Sequence, residues 1–176
     1  MRSALYEHGV RVIAPDLPVM PADAMVFLRQ QVETLQPDLI VATSMGAMYA
    51  EQLRGRLRIL VNPSFCMARL LTFGGLGRKP FRNERQDGAK DFKVDKEMIA
   101  QFKEVEKHSF EGITSADKAL VYGLFGEHDK RVNCQPQFRK AYGSAHFALF
   151  DGEHYLNDSV LKRAVLPLIR KLLELE

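Results

Sequence analysis

Three residues of this 176-residue chain have the side-chain types needed for nucleophilic catalysis by a serine: Ser44, Asp129 and His154. A serine hydroxyl is a weak nucleophile until an imidazole accepts its proton. The imidazole in turn needs a carboxylate that holds its tautomer and stabilises the cation. The sequence therefore predicts a triad of these three residues, which occur along the chain as serine, acid and histidine, with Glu127 as the alternative acid.

The segment around Ser44 is predicted to be a strand, a sharp turn and a helix. The apolar run Leu39–Val41 has the composition of a buried parallel strand. The residues that predict the following helix are Ala47, Met48, Ala50 and Leu53. A strained strand-to-helix turn of this kind would place the serine hydroxyl at its tip.

Small residues flank the serine on both sides. Ala42 and Gly46 lie two residues before and after Ser44, where a bulky side chain would block the turn, so Gly is best and Ala is tolerable. With Thr43 they complete the pattern A-x-S-x-G. The alternative is an ordinary strand-to-helix turn, because small residues are common in such turns.

Each remaining histidine is a weaker candidate for the base than His154. His128 shares its loop with the acid, His108 lies in a separate segment, and His146 begins a predicted strand. His8 precedes Gly9, and this pair is interpreted as a helix stop.

Composition limits the classes of function. Apolar residues make up 46% of the chain and charged residues 27%. The net charge is +3 with both signs interspersed, which favours neither nucleic acid nor an anionic membrane as a partner.

Cys66 and Cys134 have no metal-ligand spacing and predict reduced thiols in a cytosolic protein. No apolar run approaches a membrane span, and the N-terminus does not resemble a signal peptide. The length predicts a single domain over residues 1–176.

Strands and helices are predicted to alternate along the chain. The predicted strands are 10–14, 39–41, 58–61, 119–125 and 146–150. The predicted helices are 3–8, 21–35, 95–110, 136–142 and 157–173, the last kinked or broken at Pro167. Leu35 is predicted to lie on the buried face of the helix 21–35, Asp95 to cap the helix 95–110, and Asn157 or Asp158 to cap the last helix. Such alternation favours an α/β fold with a parallel sheet covered on both faces. Active residues of such sheets collect beyond the carboxyl ends of the strands, where Ser44, Asp129 and His154 are all predicted to lie.

The segment 65–116 differs in character and is predicted to be a helical insertion, or a lid, before the acid strand. It carries a glycine-rich stretch and then a basic cluster, Arg78, Lys79, Arg82 and Arg85. The cluster is either a solvated surface or a site for an acidic group of a substrate.

At these residues the chain resembles the α/β-hydrolase superfamily, and within it the small YqiA-type esterases. The resemblance covers nearly the whole chain. Its motifs are Ile-Ala-Pro-Asp-Leu-Pro at 13–18, Ala-Thr-Ser-Met-Gly-Ala at 42–47, Val-Asn-Pro-Ser at 61–64, Gly-Glu-His-Asp at 126–129 and Gly-Glu-His at 152–154.

The resemblance implies hydrolysis of a small-molecule ester or thioester through an acyl-serine intermediate, without a cofactor or a metal. It also implies that the backbone N–H of Met45, directly after the nucleophile, forms half of an oxyanion hole.

The chain departs from the family pattern at its beginning, because the N-terminal strand that would carry the other oxyanion donor is missing. We therefore expect either that Met1 is an internal methionine of a longer natural product or that the sequence is a shortened form of one. If the chain is complete, a catalytically impaired hydrolase fold serving as a binding or assembly module is the alternative function, and two copies would pair through the exposed sheet edge as a homodimer. A nucleotide-binding fold is disfavoured because 14–18 contain no phosphate-cradling glycine loop.

Overall fold

The computed structural model describes residues 1–175, apart from the side chain of Arg2, and divides them into two compact units. The sheet unit comprises 1–14, 37–64 and the chain from Gly112 onward, and the hairpin unit comprises 15–36 and 65–111. The predicted insertion thus shares a unit with the segment 15–36. In chain order the elements are α1 (Arg2–Tyr6), α2 (Pro21–Leu35), β1 (Ile40–Thr43), α3 (Ser44–Glu51), β2 (Arg58–Val61), α4 (Met67–Gly74), β3 (Gly77–Pro80), β4 (Asp91–Val94), α5 (Lys96–Lys107), α6 (Ser115–Ala119), β5 (Val121–Gly126), α7 (Gln135–Tyr142), β6 (Phe147–Phe150), α8 (Asp158–Val160), a π-helical turn (Leu161–Val165) and α9 (Leu166–Leu172).

The sheet unit is built on a four-stranded parallel sheet in the order β1-β2-β5-β6. The predicted α/β architecture with a parallel sheet is confirmed. Because all four strands run the same way, their carboxyl ends share one edge of the sheet, and the segments that follow β1, β5 and β6 begin there.

The predicted strand at 10–14 is wrong. These residues form no ladder with any strand in the part of the chain that the structure describes. Their β-branched composition is a local signal, whereas a strand is stabilised only by a paired neighbour. The described sheet therefore begins at β1.

Helices cover both faces of the sheet, as adjacent residues of β5 show. Leu124 belongs to a buried cluster with Leu5 of α1, Val165 and Ile169, while Phe125 points the other way and packs edge-on against Phe138 of α7 with ring centroids 5.4 Å apart. The final helical segment is interrupted, as predicted, because Pro167 opens α9 directly after the π-helical turn.

A buried polar cluster fixes the C-terminal end of α3. Glu51 and Arg58 are fully buried, and the Arg58 guanidinium donates to the Asp117 carboxylate and to the Glu51 carbonyl. The Tyr142 hydroxyl donates to the Glu51 carboxylate and accepts from Arg54. Burial, with Glu51 alongside, raises the pKa of Tyr142. Since every partner is charged or hydrogen-bonded, removing one would leave a buried group unsatisfied.

The hairpin unit contains α2, α4, α5 and the antiparallel pair β3–β4. The predicted cap of α5 is confirmed, since Asp95 accepts from the N–H of Met98 at 3.0 Å. In the predicted basic cluster, Arg78 pairs with Asp91 and Arg85 pairs with Asp87. Leu35, predicted to lie on the buried face of α2, is 40% exposed.

Within residues 1–175 no helix combines the length and the apolar character needed to cross a bilayer.

Candidate active site

Ser44 lies at the junction of β1 and α3, at the tip of a tight turn. Its φ of 52° is left-handed, a conformation that few non-glycine residues adopt. Such strain of about 1–3 kcal/mol persists only where the surrounding structure fixes the backbone. The N–H of Ser64, which follows β2, donates to the Ser44 carbonyl at 3.1 Å and so helps to hold this turn.

The predicted neighbours of the serine frame the turn. Ala42 and Thr43 end β1, and Met45 and Gly46 lie in the first turn of α3. A Cβ built on Gly46 would lie 3.9 Å from the Cβ of Ala42, which is ordinary van der Waals contact. The two positions are adjacent as predicted, and a methyl group at position 46 would fit.

His154 lies in the loop after β6 and is brought to Ser44 although 110 residues separate them. Its Nε2 is 2.8 Å from the Ser44 Oγ. The residue is 7% exposed, so the imidazole is largely shielded from water. An edge-to-face contact with Tyr155, at 5.1 Å between ring centroids, also limits the rotation of the imidazole.

Asp129 follows β5 and completes the series of contacts. Its Oδ2 is 2.7 Å from the His154 Nδ1, and the two side chains are only 5% and 6% exposed. Its Oδ1 accepts from the backbone N–H groups of Arg131 at 2.8 Å and Val132 at 3.0 Å, which fixes the carboxylate plane. Glu127, the alternative acid, is exposed.

These contacts favour one tautomer of the imidazole. Because a carboxylate only accepts hydrogen bonds, the 2.7 Å contact with Asp129 favours a proton on the His154 Nδ1. In the neutral ring the Nε2 is then an acceptor, and it faces the Ser44 hydroxyl. The arrangement can move the serine proton to the imidazole while the carboxylate stabilises the resulting cation.

Two residues at the same edge of the sheet were not predicted as site residues. Ser64 donates its N–H to Ser44, and Asn62 donates its side-chain amide to the carbonyl of His154. Both follow the buried strand β2, so the rule that singled out Asp129 and His154 would also have found them.

The histidines that were weaker candidates for the base lie outside the contacts of Ser44, His154 and Asp129. His128 pairs with Asp151 on the surface, His108 pairs with Glu111 in the hairpin unit, and His146 stacks on Tyr122 at 4.0 Å. Among residues 1–175 no three His, Cys, Asp or Glu side chains cluster in a way that could hold a metal ion.

Several solved structures share this fold. A monoacylglycerol lipase from Paleococcus ferrophilus matches with a TM-score of 0.66 at 12% identity, covering 98% of this chain and 87% of the lipase. Alpha/beta hydrolase domain-containing protein 10 from mouse matches with a TM-score of 0.54 at 13% identity, covering 88% of this chain and 70% of the mouse protein. Est1E from Butyrivibrio proteoclasticus matches with a TM-score of 0.52 at 15% identity, covering 88% of this chain and 72% of Est1E.

Neither a protein-family model nor a curated protein matches the sequence. At these identities the structural likeness establishes the fold, which is that of the α/β-hydrolases, as the sequence motifs predicted. The narrower likeness to the YqiA-type esterases stays a prediction.

Proposed function

We propose that this α/β-hydrolase-fold chain is a serine hydrolase that cleaves small carboxylic esters or thioesters through an acyl-serine intermediate. The observation that carries the proposal is the unbroken contact series from Ser44 Oγ through His154 to Asp129, at 2.8 Å and 2.7 Å. The similar structure from Paleococcus ferrophilus is named a monoacylglycerol lipase, which supports an ester as the substrate.

Acylation begins with Ser44. Its Oγ attacks the carbonyl carbon while the His154 Nε2 accepts the hydroxyl proton, and the carbonyl oxygen becomes an oxyanion. The tetrahedral intermediate then collapses, the bond to the leaving oxygen or sulfur breaks, and His154 returns its proton to that atom. The products of this step are an alcohol or thiol and an acyl-serine.

Deacylation repeats the cycle with water. His154 accepts a proton from water, and the hydroxide oxygen attacks the acyl carbon. Collapse of the second intermediate releases the carboxylic acid, and the Ser44 Oγ regains a proton from His154. Asp129 stabilises the imidazolium in both halves without itself becoming protonated.

The proposed oxyanion donor is the N–H of Met45. It lies in the first turn of α3, where backbone N–H groups have no acceptor within the helix and the helix dipole favours negative charge. One such donor typically contributes about 10²–10³ in rate.

Labelling with a fluorophosphonate probe tests the proposal, because the probe reacts only with an activated serine. We expect wild type to be labelled and both Ser44→Ala and His154→Ala to lose the label. Ser115→Ala and His128→Ala are matched controls, since both residues are exposed and lie outside the contact series, and both should label like wild type. Unlabelled wild-type protein is then assayed against esters and thioesters of increasing acyl length.

Absence of labelling in folded wild-type protein would contradict the proposal. It would favour the alternative of a catalytically impaired module that binds or assembles.

A further inference from the structure

We propose that Asn62 is a positioning residue for the base, and that its side-chain amide sets where the His154 imidazole lies relative to Ser44 and Asp129. The inference deepens the proposed function and rests on it. Asn62 touches none of the reacting atoms and acts through the backbone of His154.

Asn62 is held rigidly at the carboxyl end of β2. It is 2% exposed, and its own N–H donates to the Leu124 carbonyl of β5 at 2.8 Å. Its φ of 44° is left-handed, a region in which Asn is several-fold enriched among non-glycine residues. The side chain therefore starts from a fixed backbone.

The amide group makes three hydrogen bonds to backbone groups on two other segments. The Nδ2 donates to the carbonyls of Glu153 and His154, each at 2.9 Å. The Oδ1 accepts from the N–H of Gly126 at 2.7 Å. Gly126 ends β5 three residues before Asp129, so a single side chain joins the segment carrying the acid to the segment carrying the base.

Among similarly sized side chains, the amide is the one suited to this set of partners. Two donors must face two carbonyl oxygens while an acceptor faces an N–H, and Asn supplies all of them. A carboxyl group in its place would direct an oxygen at the Glu153 and His154 carbonyls. An aliphatic side chain would leave these three backbone groups without this partner, and the hydrogen bonds to His154 and Gly126 are buried.

The position of these bonds connects them to catalysis. One acceptor is the carbonyl of His154 itself, and the 2.8 Å separation of its Nε2 from Ser44 depends on where that backbone lies. A displacement of about 1 Å at a reacting centre can cost about 10²-fold in rate. Loss of the Asn62 amide should therefore lower kcat more than it alters substrate binding.

Ester hydrolysis by Asn62→Ala and Asn62→Asp tests the inference, with Thr114→Ala as the matched control. Thr114 also accepts a backbone N–H, that of Asp117, and lies at the start of α6 away from the triad. We expect Asn62→Ala to lower kcat about 10–100-fold with KM changed about two-fold or less. Thr114→Ala should keep the wild-type kcat.

The pH profile of Asn62→Asp separates positioning from a loss of folded protein. Protonating the introduced carboxyl restores one donor, so kcat relative to wild type should rise as the pH falls, when measured on protein shown to be folded. A ratio that stays constant with pH would overturn this part of the inference.

Measuring Asn62→Ala in the His154→Ala background distinguishes an effect through the His154 imidazole from a general effect on the fold. If Asn62 acts through the imidazole, adding Asn62→Ala to His154→Ala should cost no further rate with an activated ester. An equal loss in both backgrounds would mean that Asn62 only supports the fold and would overturn the inference.

A readout without turnover distinguishes failure of this inference from failure of the proposed function. The deshielded proton on the His154 Nδ1, hydrogen-bonded to Asp129, should give a resonance in wild type and in Thr114→Ala that is lost or shifted in Asn62→Ala. An unchanged resonance overturns the inference. Hydrolysis that survives Ser44→Ala instead overturns the proposed function.

Discussion

Gly126 and Gly152 pack so closely that a Cβ built on Gly126 would lie 2.5 Å from the carbonyl oxygen of Gly152 and 2.8 Å from that of Glu153. Both neighbours are backbone atoms, so neither can rotate away. The end of β5 and the loop that carries His154 are therefore in contact through a position that has no room for a side chain.

Gly126→Ala should push these two segments apart. We expect overpacking to lower the free energy of unfolding by about 1–3 kcal/mol and hydrolysis to fall about 10²-fold, because Asp129 and His154 move relative to each other. Denaturant unfolding and kcat are the measurements. Gly74→Ala is the matched control, since a Cβ there meets nothing within 4 Å, and it should leave both quantities near their wild-type values.

The acid is assigned by comparing Asp129→Asn with Glu127→Gln. The amide of Asp129→Asn would donate where the carboxylate accepts, which favours the wrong tautomer of His154 and should reduce kcat about 10⁴-fold. Glu127 is exposed, so Glu127→Gln should retain the wild-type kcat. The opposite ranking of the two variants in a steady-state ester assay would assign the role to Glu127.

The left-handed conformation of Ser44 predicts a stability difference between two inactive variants. Ser44→Gly and Ser44→Ala both lack the hydroxyl, but only Gly adopts a φ of 52° without steric cost. We expect Ser44→Gly to unfold at a higher denaturant concentration, corresponding to about 1 kcal/mol. Equal midpoints would contradict the view that the turn is strained.

Glu106 in the hairpin unit predicts a pH-dependent stability. Partial burial raises the pKa of its carboxyl, although the N–H of Ala68, 2.7 Å from its Oε1, acts in the opposite direction. Because the folded pKa lies above the unfolded one, the contribution to stability is present below the unfolded pKa and is lost as the pH rises through the folded pKa.

The variant Glu106→Gln tests this dependence through melting temperatures at a series of pH values. Relative to wild type it should gain stability as the pH rises from about 4 to about 8. Glu104→Gln on the same helix is the control with the opposite sign, because hydrogen bonding to Lys107 lowers the pKa of Glu104. Parallel curves for wild type and Glu106→Gln would contradict the prediction.

The sequence predicted those elements whose signals come from residues close together in the chain. Asp95 caps α5, Asn157 caps α8, and the buried strands β2 and β5 lie close to their predicted positions. The hairpin β3–β4 was missed because its strands are short and rich in charge, as Gly-Arg-Lys-Pro at 77–80 illustrates. The predicted strand at 10–14 was wrong because pairing is not a local property.

The candidate site likewise has features that the sequence predicts and features that it does not. The order and strand-end positions of Ser44, Asp129 and His154 could be read from the sequence because parallel strands present their carboxyl ends at one edge. The role we propose for Asn62 could not, since its hydrogen bonds reach residues 64 to 92 positions away. Likewise, the choice between Asp129 and Glu127 depended on burial, which spacing does not encode.

Because 110 residues separate Ser44 from His154, we expect the site to form late in folding. Local helices form quickly, whereas parallel pairing must first close long stretches of chain, and folding slows as the contacts become more distant in sequence. The nucleophile meets its base only after the segments that follow β1, β5 and β6 have all reached one edge of the sheet. During refolding, reactivity toward a serine probe should therefore recover later than the helical circular dichroism signal. The reactivity of Ser44 would then report when the native state is complete.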